Sequence, residues 1–295
     1  MPLLAARGKV DGPRALILGG VHGDEPEGIS AASAVWRDLD LEQLRGEVLV
    51  VPLANLPAWE NGTRESGIDG LNLARVFPGS CDGSATQRIA YALTALIAEV
   101  DLLVDLYSAG QHYAMPFLIG AYAGDDELGR RCAAAARAFG APVFWAHPEV
   151  APGRSLSVAI QRGITNIYAE CGGGGRVRAA HHTGYRVGVQ RVLAHAGLLP
   201  PMPAAPEPML VLRGSGDMDT RLTVSQPGLL LDDVQLLDHV RTGDVLGRVI
   251  DPSDRSEREI VRAPHDGVVG IARRMARVEP GDGVYTLTSV WAATR

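Results

Sequence analysis

The sequence predicts an α/β protein: a mixed, largely parallel sheet flanked by helices, followed by a small C-terminal all-β domain. Three observations carry this prediction. Short apolar runs ending in Gly, Pro or Asn alternate with amphipathic stretches of helical length through the first two-thirds of the chain. Proline density then rises abruptly over residues 198–208, "LLPPMPAAPEP", where no helix could persist. Beyond that point, short alternating segments are separated by Gly, Asp and Pro. The predicted division gives one unit over residues 1–200 and a β-rich unit over residues 201–295.

Residues 15–21 and 48–53 are dense in Val, Leu and Ile and read as buried strands. Between them, residues 27–44 carry Ile29, Ala32, Val35, Trp36 and Leu39 at mixed three- and four-residue spacing, which predicts a helix. A second helix starts near Ser84, runs through "ATQRIAYALTALIAEV" and leads into a third strand, "DLLVDLY". A helix over "DDELGRRCAAAARAFG", a strand at "TNIYAEC" and a helix over "YRVGVQRVLAHAG" complete the α/β part. In the tail, "MLVLRG", "TRLTVSQPG", "GDVLGRVI" and "APHDGVVGIARR" predict short strands joined by tight turns.

Composition excludes several functions. The net charge is −6, with acids and bases mixed along the chain, so no basic stripe is present to neutralise phosphates and nucleic acid is not an expected partner. No apolar run approaches the length that crosses a bilayer, and the chain reads as a cytoplasmic protein with no membrane association. Cys81, Cys132 and Cys171 are odd in number and far apart, which suits reduced thiols. Lys9 is the only lysine, which removes a P-loop lysine, a Schiff-base mechanism and a lipoyl- or biotinyl-carrier role for the tail.

The candidate chemistry begins in "GGVHGDEPEG", where His22 and Glu25 follow the end of the first predicted strand. Open α/β sheets bind ligands at such strand ends. An imidazole and a carboxylate are both zinc ligands, and a three-residue offset across a glycine turn can aim them at one point. A catalytic zinc needs a further protein ligand. By itself His-x-x-Glu is expected about 0.4 times by chance in a chain of this composition, so the pair needs support from elsewhere.

That support is the ordered series "GGVHGDEPEG", "NLPAWENGTR", "DGLNLARVFPG", "VDLYSAG" and "YAECGGGG". In sequence and spacing it resembles the succinylglutamate desuccinylase/aspartoacylase family, zinc-dependent amide hydrolases on the zinc carboxypeptidase fold, over about residues 10 to 200. The resemblance implies that His22 and Glu25 ligate zinc. Arg64 then polarises the scissile carbonyl, Arg75 with Asn72 binds a substrate carboxylate, and Glu170 is the general base. The implied reaction is hydrolysis of an amide bond in a small N-acyl amino acid or related compound. Carboxypeptidase action on peptides is the alternative on the same geometry, and a homo-oligomer is left open.

Two positions depart from the family pattern. Tyr107 stands where the family's third zinc-ligand histidine is expected, at the end of "VDLY". A neutral phenol is a poor ligand, with a reference pKa near 10. Three arrangements are open: Tyr107 ligates as a phenolate, His112 in the following loop replaces it, or the site binds metal poorly or not at all. Ala74 replaces the asparagine expected immediately before Arg75, which alters the grip on a carboxylate. Asp105 is a candidate partner for orienting a ligand. These departures motivate a second reading, in which the pocket binds a small ligand without hydrolysing it.

Overall fold

The computed structural model describes residues 1–214 and 221–290. Thr220, the first residue of the predicted "TRLTVSQPG" segment, and residues 291–295 at the end of the predicted tail domain lie outside the described residues.

Strand β1 (Leu4–Arg7) and strand β2 (Val10–Gly19) precede helix α1 (Pro26–Asp38), which starts on a proline whose fixed φ suits the first helical turn. The helix is shorter than the predicted span of residues 27–44. Leu39 turns extended, and the Asp40 carboxylate accepts from the Glu42 backbone N–H and the Gln43 side chain, offering a turn that competes with further helix. Strand β3 (Arg45–Val51), α2 (Leu56–Asn61), α3 (Ala85–Ile97), β4 (Leu102–Leu106), β5 (Tyr113–Tyr122), α4 (Glu127–Phe139), β6 (Val143–His147), α5 (Ser155–Gln161), β7 (Thr165–Gly172), α6 (Ala179–His195) and β8 (Leu210–Arg213) follow.

These strands lie in the order β1-β3-β2-β4-β7-β5-β6-β8. The β2–β3, β2–β4, β4–β7, β5–β6 and β6–β8 ladders are parallel, whereas β1–β3 and β5–β7 are antiparallel. The fold is therefore mixed α/β. Strand β5 was not expected from the sequence. Its segment contains Pro116, which lies where the β5–β7 register shifts between Met115 and Leu118, so the strand tolerates a residue that cannot donate to the ladder.

Alternation along the central strands decides which residues meet the site. Ile17, Val104, Leu106, Ala169 and Cys171 face one core with Val35 of α1, Phe139 of α4 and Val189 of α6. Leu16, Leu18, Leu103 and Tyr107 face the other, with Leu93 of α3 and Val158 of α5. Asp105 shares the parity of Leu103 and Tyr107, and Glu170 alternates with Ala169 and Cys171, so both stand on that second face, at or beside the C-terminal ends of parallel strands.

The tail contributes β9 (Leu222–Thr223), β10 (Gly228–Asp232), β11 (His239–Val240), β12 (Val245–Ile250), β13 (Glu257–Arg262), β14 (Gly267–Arg273), β15 (Arg277–Val278) and β16 (Gly283–Val290). Strands β13, β12, β10 and β15 form their own antiparallel sheet. By contrast, β16 pairs with β8, β14 with β16, and β14 with β5. Strands β5, β6, β8, β16 and β14 thereby close on themselves around Met115, Leu118, Trp145, Leu212, Val268 and Ile271. Backbone pairing thus links the segments on either side of residue 200. Among the described residues, no helix is long and apolar enough to cross a membrane.

The seat of α1 on the sheet is close enough to admit only glycine. A Cβ at Gly28 would lie 2.1 Å from the Leu106 carbonyl oxygen of β4. Gly28→Ala is expected to lower unfolding free energy by about 1–3 kcal/mol in urea denaturation. Unchanged stability would contradict this packing.

Candidate active site

The loop leaving β2 turns His22 inward, where it is 2% exposed. Gly23 makes the turn feasible: a Cβ there would lie 2.1 Å from the Ala58 backbone, and its N–H donates to the Thr63 carbonyl at 3.0 Å. That bond draws the segment after α2, with Arg64, against the His22 loop. Glu25, immediately before α1, is likewise 2% exposed. Its Oε1 accepts from Arg64 Nη1 at 3.0 Å and lies 2.8 Å from His22 Nδ1, while its Oε2 accepts from the Ser108 N–H at 2.9 Å. Although burial opposes ionisation, the His22 and Arg64 charges and the Ser108 bond hold the Glu25 pKa below its usual value.

Asn72 sits against the other ring nitrogen of His22. Its Oδ1 accepts from the Ala74 N–H at 2.9 Å, so the oxygen of the amide is the atom 3.1 Å from His22 Nε2. Nε2 must therefore carry hydrogen and donate. Nδ1 faces the Glu25 carboxylate at 2.8 Å, where a proton or a bound cation between them satisfies both. The donor pair fits one divalent cation, with an imidazole nitrogen and a carboxylate oxygen converging from adjacent positions.

Tyr107 does not extend that pair. Its hydroxyl donates to Asp105 Oδ2 at 2.8 Å, and Ser155 Oγ donates to the same oxygen. Burial, then the Asp105 charge, raises the phenol pKa, so its proton stays on. His112 is exposed and lines a separate depression with Asp24, Gln111 and Arg221. In this geometry neither residue stands as a third ligand.

Glu170 of β7 enters the pocket on the same side as Tyr107, and its Oε2 is buried with no hydrogen-bond partner. Burial, then the Glu25 charge, pushes its pKa well up, with Arg64 opposing. Arg75 and Ala74 both line the pocket, and Arg75 Nη1 donates to the Ala74 carbonyl at 3.0 Å. Asn72, read from sequence as a substrate contact, has its carbonyl oxygen committed to His22 and Ala74.

Several lining residues were not read from the sequence: His147, Arg154, Ser155 and Tyr168. The Tyr168 hydroxyl donates to His147 Nε2 at 2.8 Å, and His147 Nδ1 donates to the Gly214 carbonyl at 2.6 Å. Burial lowers the His147 pKa to about 4, keeping the ring neutral. A signal existed in "VFWAH", an apolar run ending in histidine, but the run is only five residues long.

Burial raises the Asp105 pKa to about 7, against the lowering effect of the Ser155 and Tyr107 bonds. Because the folded-state value exceeds the unfolded one, this group's contribution to stability is full below about pH 4 and is lost as pH rises through about 7. Asp105→Asn should remove a decline of up to about 1.4 kcal/mol per pH unit across that window. Denaturation of both proteins at several pH values checks this, and identical pH slopes would contradict it.

Residues 11–196 match the succinylglutamate desuccinylase/aspartoacylase catalytic domain. The chain is 34% identical over 284 residues to the N-alpha-acetyl-L-2,4-diaminobutyric acid deacetylase of Halomonas elongata, covering 95% of this chain and 83% of that one. Among solved structures, a succinylglutamate desuccinylase from a Silicibacter species superposes with a TM-score of 0.90 at 30% identity, covering 99% of this chain and 89% of its own. The product-bound ectoine utilization protein EutE (DoeB) from Ruegeria pomeroyi gives 0.88 at 31% identity, covering 98% and 88%. With the family match spanning well over half its length, this chain belongs to the succinylglutamate desuccinylase/aspartoacylase family.

Proposed function

We propose that this amidohydrolase removes a short acyl group from a small N-acyl amino acid, and that His22 and Glu25 hold one divalent cation, zinc by donor type. The observation that carries the reading is the convergence of His22 Nδ1 and Glu25 Oε1, 2.8 Å apart, with the unpartnered Glu170 Oε2 in the same pocket. A cation bound there would lower the pKa of water toward neutrality.

The remaining work falls to side chains of this chain. Arg64, 26% exposed and anchored on Glu25, presents the rest of its guanidinium fork to a carbonyl oxygen that gains charge in the transition state. Glu170, once ionised beside positive charge, takes the proton of the attacking water and returns it to the leaving nitrogen. Arg75 and Arg154 supply positive charge for a substrate carboxylate, while Met115, Val150 and Leu156 form an apolar wall suited to a short acyl chain. The compound named for the Halomonas relative has both parts, an acetyl group and a carboxylate.

The hydrogen bond from Tyr107 to Asp105 favours a second reading, ligand binding without turnover, and one experiment separates the two. Protein purified without chelator is assayed with zinc against N-acetyl-diaminobutyrate, N-acetylaspartate and N-succinylglutamate. We expect zinc-dependent turnover of at least one, reduced about 10²–10³-fold in kcat by Arg64→Ala and about 10²–10⁴-fold by Glu170→Gln. Binding of these compounds with no turnover at any zinc concentration would overturn hydrolysis and leave the second reading.

A further inference from the structure

We propose that Glu27, Cys171 and His181 form a second cation site, for a soft divalent ion such as zinc, on the face of the sheet opposite the catalytic pocket. Alternation in β7 sets this up. Glu170 points into the pocket, and Cys171, the next residue, points to the other core beneath α1 and α6. Glu27 comes from the first turn of α1, two residues beyond Glu25, and His181 from the first turn of α6.

The carboxylate oxygen, thiol sulfur and imidazole nitrogen offered by these residues all lie within 4.8 Å of one another. His181 Nδ1 is 2.8 Å from Glu27 Oε1. Glu27 is fully buried, and its second oxygen, Oε2, has no hydrogen-bond partner. A buried carboxylate oxygen left without a donor is costly, and a cation seated between Glu27 and Cys171 removes that cost. Zinc takes such donors at about 2.0–2.3 Å, so the three would draw together around one ion by side-chain rotation and leave a fourth position open.

The donor types choose the ion. Sulfur with imidazole and one carboxylate suits zinc or cobalt, whereas magnesium and calcium prefer oxygen alone. On binding, the ion takes the place of the Cys171 thiol proton, which leaves to solvent, and the thiolate and Glu27 carboxylate balance its two charges. His181 is 22% exposed in its side chain, so the site opens to solvent on the α6 side. Arg178 Nη1, 3.8 Å from Glu27 Oε1, is the other positive charge nearby. Were Arg178 and His181 sufficient partners for Glu27, no ion would bind.

A cysteine ligand has a signature that the catalytic pocket cannot supply, since the pocket is lined by no cysteine. The full-length protein, stripped of metal, is titrated with Co(II) while the near-ultraviolet thiolate-to-cobalt charge-transfer band is followed. The expected result is a saturating band in both the parent and His22→Ala, reached at one equivalent in His22→Ala, where the catalytic pair is broken. It should be absent in Cys171→Ser and need at least tenfold more cobalt in His181→Ala. Circular dichroism confirms that each variant is folded, and Cys171→Ala replaces Cys171→Ser should serine unfold the chain. No band in the parent, or a band that survives replacement of Cys171, overturns the proposal. Neither result bears on turnover in the pocket, so the two sites are tested separately.

Discussion

The carboxylate of Glu25 is the point on which the site is built. It is buried, and its two oxygens take bonds from Arg64 and the Ser108 N–H while facing His22. Breaking a buried ion pair by removing one partner costs about 3–5 kcal/mol, so the three segments that supply its partners are fixed relative to one another. They are the turn after β2, the loop after α2 and the end of β4. The close approaches at Gly23 and Gly28 follow from that convergence, because each lets one backbone come within reach of another without an intervening side chain. Burial raises the Glu170 pKa and the same carboxylate adds to the rise across the pocket, so its charge tunes the candidate base as well as holding the frame.

Tyr107 shows how one side chain at the end of a strand alters a pocket without altering the fold. Its ring packs 5.4 Å, centroid to centroid, from that of His22, but its hydroxyl is turned to Asp105. Asp105 in turn gathers Ser155 from α5, so the phenol is locked from behind and stays protonated. In the proposed reading, the cation rests on two protein donors and the pocket gains a neutral wall where a third ligand could have been. Looser metal retention follows from fewer protein bonds, and a wider open coordination face follows from the same cause.

The parts of this architecture that were legible in the sequence are local. His22 and Glu25 lie three residues apart on one turn, and Arg64, Arg75 and Glu170 each sit in a short motif whose order along the chain is distinctive. The alternation of strands and helices through "TNIYAEC" is likewise a matter of neighbouring residues. The rest depends on distant pairing. Strand β5 carries a proline that argues against a strand, and its partnership with β14 joins Ala114 to Ala272, a contact with no local signature. His147 and Tyr168 lie 21 residues apart and meet only because β5, between β6 and β7 in the sheet, carries Gly120, where the Tyr168 ring lies 2.0 Å from where a Cβ would be. The helix end at Asp38 was missed for a different reason: apolar spacing continues past it, and a side-chain turn at Asp40 overrides that spacing.

The central claim is that His22 and Glu25 hold the proposed cation while Tyr107 gives its hydroxyl to Asp105. The most direct measurement is the zinc concentration that gives half-maximal turnover in the parent and in Tyr107→Phe, which deletes only the phenol oxygen. This account predicts equal values within about threefold, a difference of under about 0.7 kcal/mol. A rise of tenfold or more in Tyr107→Phe would make the phenol oxygen a ligand and contradict it.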